Sequence, residues 1–535
     1  MNDAAPRSTY APPMHVSANW HFTKPAANGK RGIVVSQARA AAEAGVAVLE
    51  AGGNAIDAAV ATAFALTSQE PWNSGIGGIG FCVVHRAGEK SAQVVDFGPV
   101  APRHLSPANF KLTGRMSSEG FKWPEVEGDT NVHGPLSVAV PSSVAGYEKL
   151  HSTWGRLPIA EVLAPAVALA KRGLPQDWVS TLKVASVAAC MRLYPETARV
   201  YLRDGLPPTP PSEGEPGFYV QGNLPKTLER MQHSGLRDYY EGEIASAFVR
   251  DQKAVGGIID AEDLRACQAR IVPAIEVPWR GTGRVLQLAT GLTAGPTLKD
   301  VLGGMKDAPY GAMPDAAWYR KLAAELRRAY HTRLTSLGAE EAPEPKGAET
   351  CTTHLTVCDA DGTMVSMTTT LMSSFGSRVV LPETGILLNN GVMWFDPRPG
   401  QPNSIAPGKR PLTNMCPLIL KENDAPIMAV GASGGRRIMA SVFQLMTFVA
   451  DFGMEPEQAA HHPRIDVSGP DMVTADRRLG EEVIAALKAD APTDVVTAGV
   501  FPINFACPNL IVQRPDGART GISDWASPWS LAVAQ

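Results

Sequence analysis

Nothing in this 535-residue sequence provides for a membrane span, a disulfide scaffold or a nucleic-acid surface. It lacks any apolar run of about 18 residues, the length a bilayer-crossing helix needs. Its net charge of −4 leaves no basic excess to displace counterions from nucleic acid or to hold an anionic membrane. The seven cysteines are odd in number and scattered, which argues for reduced thiols and against a disulfide framework or a zinc site. The opening "MNDAAPRSTYAPPMH" has no basic segment followed by an apolar one, so it does not read as a secretory signal. No internal repeat with a period of about 20–50 residues is visible. These absences together predict a soluble cytoplasmic protein.

What is present suits a large layered body. Hydrophobic residues make up 44% and charged residues 19%, enough apolar matter for a sizeable core. Residues 1–30 are rich in Pro, Ala and Asn and read as an N-terminal arm. "SQARAAAEAGVAVLEAGGNAIDAAVATAFAL" predicts two Ala-rich helices split at Gly52-Gly53. "GFCVVHR" and "SAQVVDF", separated by "AGEK", predict a hairpin. "IAEVLAPAVALAKRG" is a helix stopped by Gly173, and "DAAWYRKLAAELRRAYHTRL" is an amphipathic helix. "GLPPTPPSEGEPG" predicts a surface loop, and "GAEEAPEPKGAET" a mobile linker.

The glycine cluster "NSGIGGIGF" (Asn73–Phe81) invites a dinucleotide-binding reading. Such a turn needs strand, glycines, then helix, because the pyrophosphate rests on the helix N-terminus. Here the order is helix, glycines, strand. Close backbone packing is the expectation, and a nicotinamide oxidoreductase is not.

After the linker comes "CTTHLTVCDADGTMVSMTTT", an alternating pattern broken by a turn, which predicts a hairpin. A two-residue loop at Asp361-Gly362 pairs Thr370 with Thr353; one at Ala360-Asp361 pairs it with Cys351. Either register brings Thr370 beside Thr352. Two readings compete: threonines simply favour strands, or the chain cleaves itself between Cys351 and Thr352. Cleavage would free an α-amine of near-neutral pKa, able to serve as general base for the hydroxyl of its own residue. Farther on, "ASGGRRIMASVFQ" sets Gly434-Gly435 before a helix, where adjacent N–H groups suit an oxyanion hole or an ordinary turn.

These segments, with "HGPLSVAVPSSVAGYEKLHSTWGRLP", "TGILLNN" and "APGKRPLTNM", occur in an order that resembles the γ-glutamyltranspeptidases, which are N-terminal-nucleophile hydrolases. The likeness covers most of the chain. It implies an α+β fold, a four-layer αββα sandwich built jointly by a large fragment, 31–351, and a small fragment, 352–535, of one precursor. It implies Thr352 as nucleophile and new N-terminus, Thr370 as its hydrogen-bonded support, and Gly434-Gly435 as the oxyanion site. No metal or organic cofactor is implied; the partners are a small-molecule amide and the two associated fragments, with neither nucleic acid nor membrane.

The departures concentrate on one function. Family members hold the γ-glutamyl head group with charged and amide side chains. At the matching positions this sequence has Gly98 for an arginine, Met372 for an asparagine, Gly391 and Trp394 for a Gln or Glu and an acidic residue, and Thr413-Asn414 for a serine pair. Glycine cannot replace an arginine fork, and a buried ammonium needs an anionic partner. The expectation is retained chemistry with changed recognition: hydrolysis of an acyl amide other than a standard γ-glutamyl group. The alternatives are a true γ-glutamyltransferase or glutathione hydrolase, and an inactive relative that serves as a binding protein. His354 is read as structural, since the amine is the base in this class. His461-His462 lack metal-ligand spacing. Arg378, Arg436 and Arg437 are near enough in sequence to serve a carboxylate-bearing substrate or to be solvated.

Overall fold

In the computed structural model, residues 22–117, 123–334, 350–469, 471–501 and 503–535 are described. Among them, two seven-stranded sheets form the centre. One runs in the order 531–534, 33–36, 350–358, 364–373, 79–85, 93–97, 270–273; the other in the order 27–29, 519–523, 507–513, 425–433, 418–422, 284–288, 275–279. The sheets face each other across a layer of buried aliphatic side chains that includes Ile33, Val83, Met364, Ile419 and Ile511. Ala-rich helices Arg39–Glu50 and Ala55–Gln69 cover the first sheet, and helices Ala316–Thr332 and Ile438–Ala450 cover the second. This is the expected αββα sandwich. In both sheets, strands from before and after residue 351 interleave, so neither stretch owns a core of its own.

Local sequence explains much of this. Gly52 takes a φ of 95°, ending the first Ala-rich helix, and Asn54 opens the second through a reciprocal capping box with Asp57. Gly173, at a φ of 97°, closes the helix Ile159–Arg172. The hairpin Ile79–His85/Gln93–Phe97 forms as predicted, and residues 205–217 are largely exposed loop. The glycine cluster serves packing: a Cβ on Gly77 would lie 2.1 Å from Leu387 O, and one on Gly80 would lie 2.4 Å from Thr368 O.

Two expectations change. The arm joins the body before residue 30, because Ala27–Gly29 adds an edge strand against Arg519–Gly521. Ahead of it, the buried Lys24 ammonium donates to Ser527 O and Ser530 O. Burial pulls its pKa down to about 8. The hairpin after the linker adopts neither predicted register: Thr353 pairs with Thr369 and Cys358 with Met364, around a turn over residues 359–363. The longer turn has a physical cause. The Asp359 carboxylate accepts from Thr363 N and from Ala55 N at the start of a helix, each at 2.9 Å. Most of the predicted linker (338–350) lies outside the described residues, as do residues 1–21 of the arm.

Candidate active site

Thr352 sits where the strand Thr350–Cys358 loses its regular pairing. The register shifts between Cys351 and Thr353, so Cys351 lies opposite Met372 while Thr353 lies opposite Thr369. This bulge turns Thr352 toward Thr370. The Thr352 hydroxyl donates to Thr370 Oγ1 at 3.3 Å, and the Thr370 hydroxyl donates to Cys351 O at 2.6 Å. Thr370 Oγ1 also accepts from Met372 N at 2.7 Å. One hydroxyl therefore links the would-be nucleophile to the carbonyl of the peptide bond just before it. All of these groups are buried, where hydrogen bonds are strongest and lost partners cost most.

Gly434 and Gly435 follow the strand Ala425–Ser433 and enter the helix Ile438–Ala450 through a single tight turn. Gly434 has a φ of 132° and Gly435 a φ of 61°. A Cβ on Gly434 would come within 2.8 Å of Ala506 Cα, so glycine is required there on two counts. Gly434 and Thr352 share the wall of a cavity of about 380 Å³. Gly435 and Thr352 share a second, much smaller space of about 10 Å³, bounded by Met372, Trp394, Asn414 and Met415.

The recognition positions separate into two groups. Met372, Trp394 and Asn414 reach the small space beside Thr352. Met372 and Trp394 are part of a buried cluster with Phe81, Trp123, Met393 and Met415 that fills this side of the site. Gly98, Gly391 and Thr413 do not line it. Gly98 packs against Phe81 and the Arg410 guanidinium, Gly391 against Ala139, and Thr413 donates its hydroxyl to Leu292 O at 3.0 Å. Met372 has a φ of 89°, a backbone region that costs a residue with a Cβ about 1–3 kcal/mol. Of the arginines, Arg378 is buried and donates to Val132 O, and Arg437 donates to Ile503 O at 2.6 Å.

Several residues near Thr352 carry no signal in the sequence strong enough to single them out. Glu70 caps the C-terminal end of the helix Ala55–Gln69, just ahead of the glycine cluster. It accepts from Thr353 Oγ1 at 2.5 Å and Asn73 Nδ2 at 2.6 Å, and burial pushes its carboxyl up to about 7. Gln37 accepts from His354 N and donates to Ser433 Oγ, tying the strand Thr350–Cys358 to the turn at Gly434. Asn389 accepts from Ala139 N and Gly391 N and donates to Gly77 O, and Asn390 accepts from Ser373 N and donates to Val132 O, which explains the paired asparagines of the "LLNN" segment. The Arg333 guanidinium is buried among Thr293 O, Thr297 Oγ1 and Thr413 O. His354 lies between the sheets against Gly431 and hydrogen-bonds Thr368. Burial pushes its pKa down to about 3, so it is a neutral packing residue.

Among known proteins, the family model for gamma-glutamyltranspeptidase matches residues 41–347 and 312–525. An acylase ACY 1 proenzyme from Pseudomonas sp. (strain V22) is 31% identical, over 95% of this chain and 94% of its own length. A glutathione hydrolase proenzyme from Bacillus subtilis (strain 168) is 29% identical, over 93% and 90%. The crystal structure of cephalosporin acylase from Bacillus halodurans superposes with a TM-score of 0.82 at 24% identity, covering 99% of both chains, and so shares the fold. No described helix is long and apolar enough to cross a membrane.

Proposed function

This chain belongs to the γ-glutamyltranspeptidase family, and from that premise we propose that it cleaves itself between Cys351 and Thr352 to become an amide hydrolase with Thr352 as its nucleophile. The observation that carries the reading is the Thr370 hydroxyl, which bridges the Thr352 hydroxyl and the Cys351 carbonyl. In self-cleavage, Thr352 Oγ1 attacks the Cys351 carbonyl carbon as its proton passes to Thr370 Oγ1. Thr370 in turn donates to the carbonyl oxygen as charge develops there. The C–N bond breaks, the nitrogen of Thr352 takes the proton, and an ester remains. Water hydrolyses the ester, leaving the Cys351 carboxylate and a free Thr352 amine.

In turnover the same amine is the base. It takes the hydroxyl proton as Oγ1 attacks the substrate amide and returns it to the departing amine; water, deprotonated by the same amine, then cleaves the acyl ester, and the proton returns to Oγ1 as the product acid leaves. The N–H groups of Gly434 and Gly435 receive the oxyanion. The acyl group is one without the γ-glutamyl α-amino acid, because Met372 and Trp394 occupy the head-group side with apolar bulk. Each missing charge-assisted hydrogen bond is worth about 1.5–3 kcal/mol, so several together lower kcat/KM by orders of magnitude.

The relatives named as glutathione hydrolases favour a second reading, plain γ-glutamyl hydrolysis or transfer. Processed enzyme assayed with glutathione and γ-glutamyl anilides beside desamino acyl amides separates the two. Slow turnover of the γ-glutamyl compounds and fast turnover of a desamino amide supports the first. Efficient γ-glutamyl transfer to a dipeptide overturns it. An electrophilic amide probe that leaves no mass adduct on Thr352 would mark an inactive binding protein.

A further inference from the structure

We infer that the large cavity beside Thr352 is an acyl-chain chamber, built for a bulky apolar acyl group such as an arylalkanoyl or medium-chain alkanoyl group. The inference rests on Thr352 being the nucleophile, and it adds what that nucleophile acts upon. The cavity measures about 380 Å³, within the range of small-molecule pockets. The space on the other side of Thr352, at about 10 Å³, holds no more than a water. Of the two spaces that touch Thr352 among the described residues, the larger is the one that can take the substrate's bulk.

The apolar walls come from remote parts of the chain: the rings of Trp72, Trp178, Trp529, Phe501 and Phe505, with Val500. Trp72 and Trp529 lean together with ring centroids 5.0 Å apart. The Trp529 N–H is used outside the chamber, donating to Asp177, which leaves its ring as apolar wall. Phe501 is 47% exposed at the rim, an apolar surface that an entering chain would cover. Of the polar lining, Glu70 and Gln37 hydrogen-bond Thr353 and His354 beside Thr352, and Lys183 and Arg437 border the chamber as two cations within a wall that is otherwise mostly apolar. Such a chamber suits a molecule with one reactive polar end and an apolar body.

The acyl half, rather than the departing amine, is assigned by the amide already in the site. In the Cys351–Thr352 peptide, Cys351 is the acyl half. Cys351 and Thr352 both border the large chamber, whereas the small space touches Thr352 and not Cys351. An acyl group on the same hydroxyl after cleavage faces the same chamber.

The test uses processed, full-length enzyme and a series of 4-nitroanilides from acetyl through hexanoyl to octanoyl, with phenylacetyl alongside. Each methylene buried in the chamber is expected to raise kcat/KM about fourfold. Octanoate, the product acid, is expected to quench the tryptophan fluorescence saturably. Ala526→Trp fills the chamber and is expected to cut the octanoyl-to-acetyl ratio at least tenfold and to abolish the quench. If acetyl and octanoyl anilides are cleaved equally while Thr352 forms the acyl adduct, the chamber assignment is overturned and the nucleophile stands. If no anilide is cleaved and no adduct forms on Thr352, the nucleophile falls and the chamber assignment falls with it.

Discussion

Replacing Thr370 by valine removes one oxygen and almost nothing else, and its effect on self-cleavage is calculable from the site. The lost hydroxyl donates to Cys351 O at 2.6 Å and accepts from Met372 N at 2.7 Å. As an oxyanion donor in a buried site, it is worth about 2.7–4 kcal/mol to the transition state, a factor of about 10²–10³ in rate. The stranded Met372 N–H adds a separate cost of about 1–3 kcal/mol to folding stability. The two effects are read separately. A denaturing-gel time course of purified precursor gives the cleavage rate, and a thermal melt gives the stability. Thr370→Val is expected to fold with a lowered melting temperature and to convert at least a hundredfold more slowly than wild type. Thr370→Ser keeps the oxygen and should recover most of the rate. If folded Thr370→Val converts within about threefold of wild type, Thr370 does not polarise the Cys351 carbonyl and the proton route described here is wrong.

Thr352→Ala is expected to remain a single chain after prolonged incubation, while wild type yields a second N-terminus that begins at Thr352; Edman sequencing decides. The two fragments of wild type should co-elute in size-exclusion chromatography without denaturant, because each contributes strands to both sheets; separation there would contradict the interleaved core. Glu70 supplies a pH signature. Its folded carboxyl titrates near 7, against an ordinary 4.5, so the folded state binds this proton more tightly than the unfolded one. The stabilisation is full below about pH 4.5 and is lost as pH rises through 7, about 3 kcal/mol in all. Urea titrations of Thr352→Ala precursor should show that slope, and adding Glu70→Gln should flatten it; an unchanged slope would exclude Glu70 as its source.

The elements whose causes are local were legible in the sequence. Helix starts and stops at Asn54, Gly52 and Gly173 are set by capping and by φ angles that neighbours cannot alter. The hairpin around the 359–363 turn follows from alternation on its two strands, and the family motifs follow from residue identity in order. Thr370 beside Thr352 was also legible, since both candidate registers brought them together. The actual register was not, because Asp359 is drawn to the N-terminus of a helix some 300 residues earlier in the chain.

Tertiary structure alone decided what surrounds Thr352. The bulge at Thr352, the carboxyl of Glu70 against Thr353, and the packing of Trp123 with Met372 and Trp394 depend on which sheets and helices meet. The chamber is the clearest case, since Trp72, Trp178, Phe501 and Trp529 belong to segments with no local pattern in common. A sequence specifies backbone preferences over a few neighbouring residues, whereas a cavity is the volume left where distant surfaces fail to fill space. Its shape therefore exists only once those surfaces have packed.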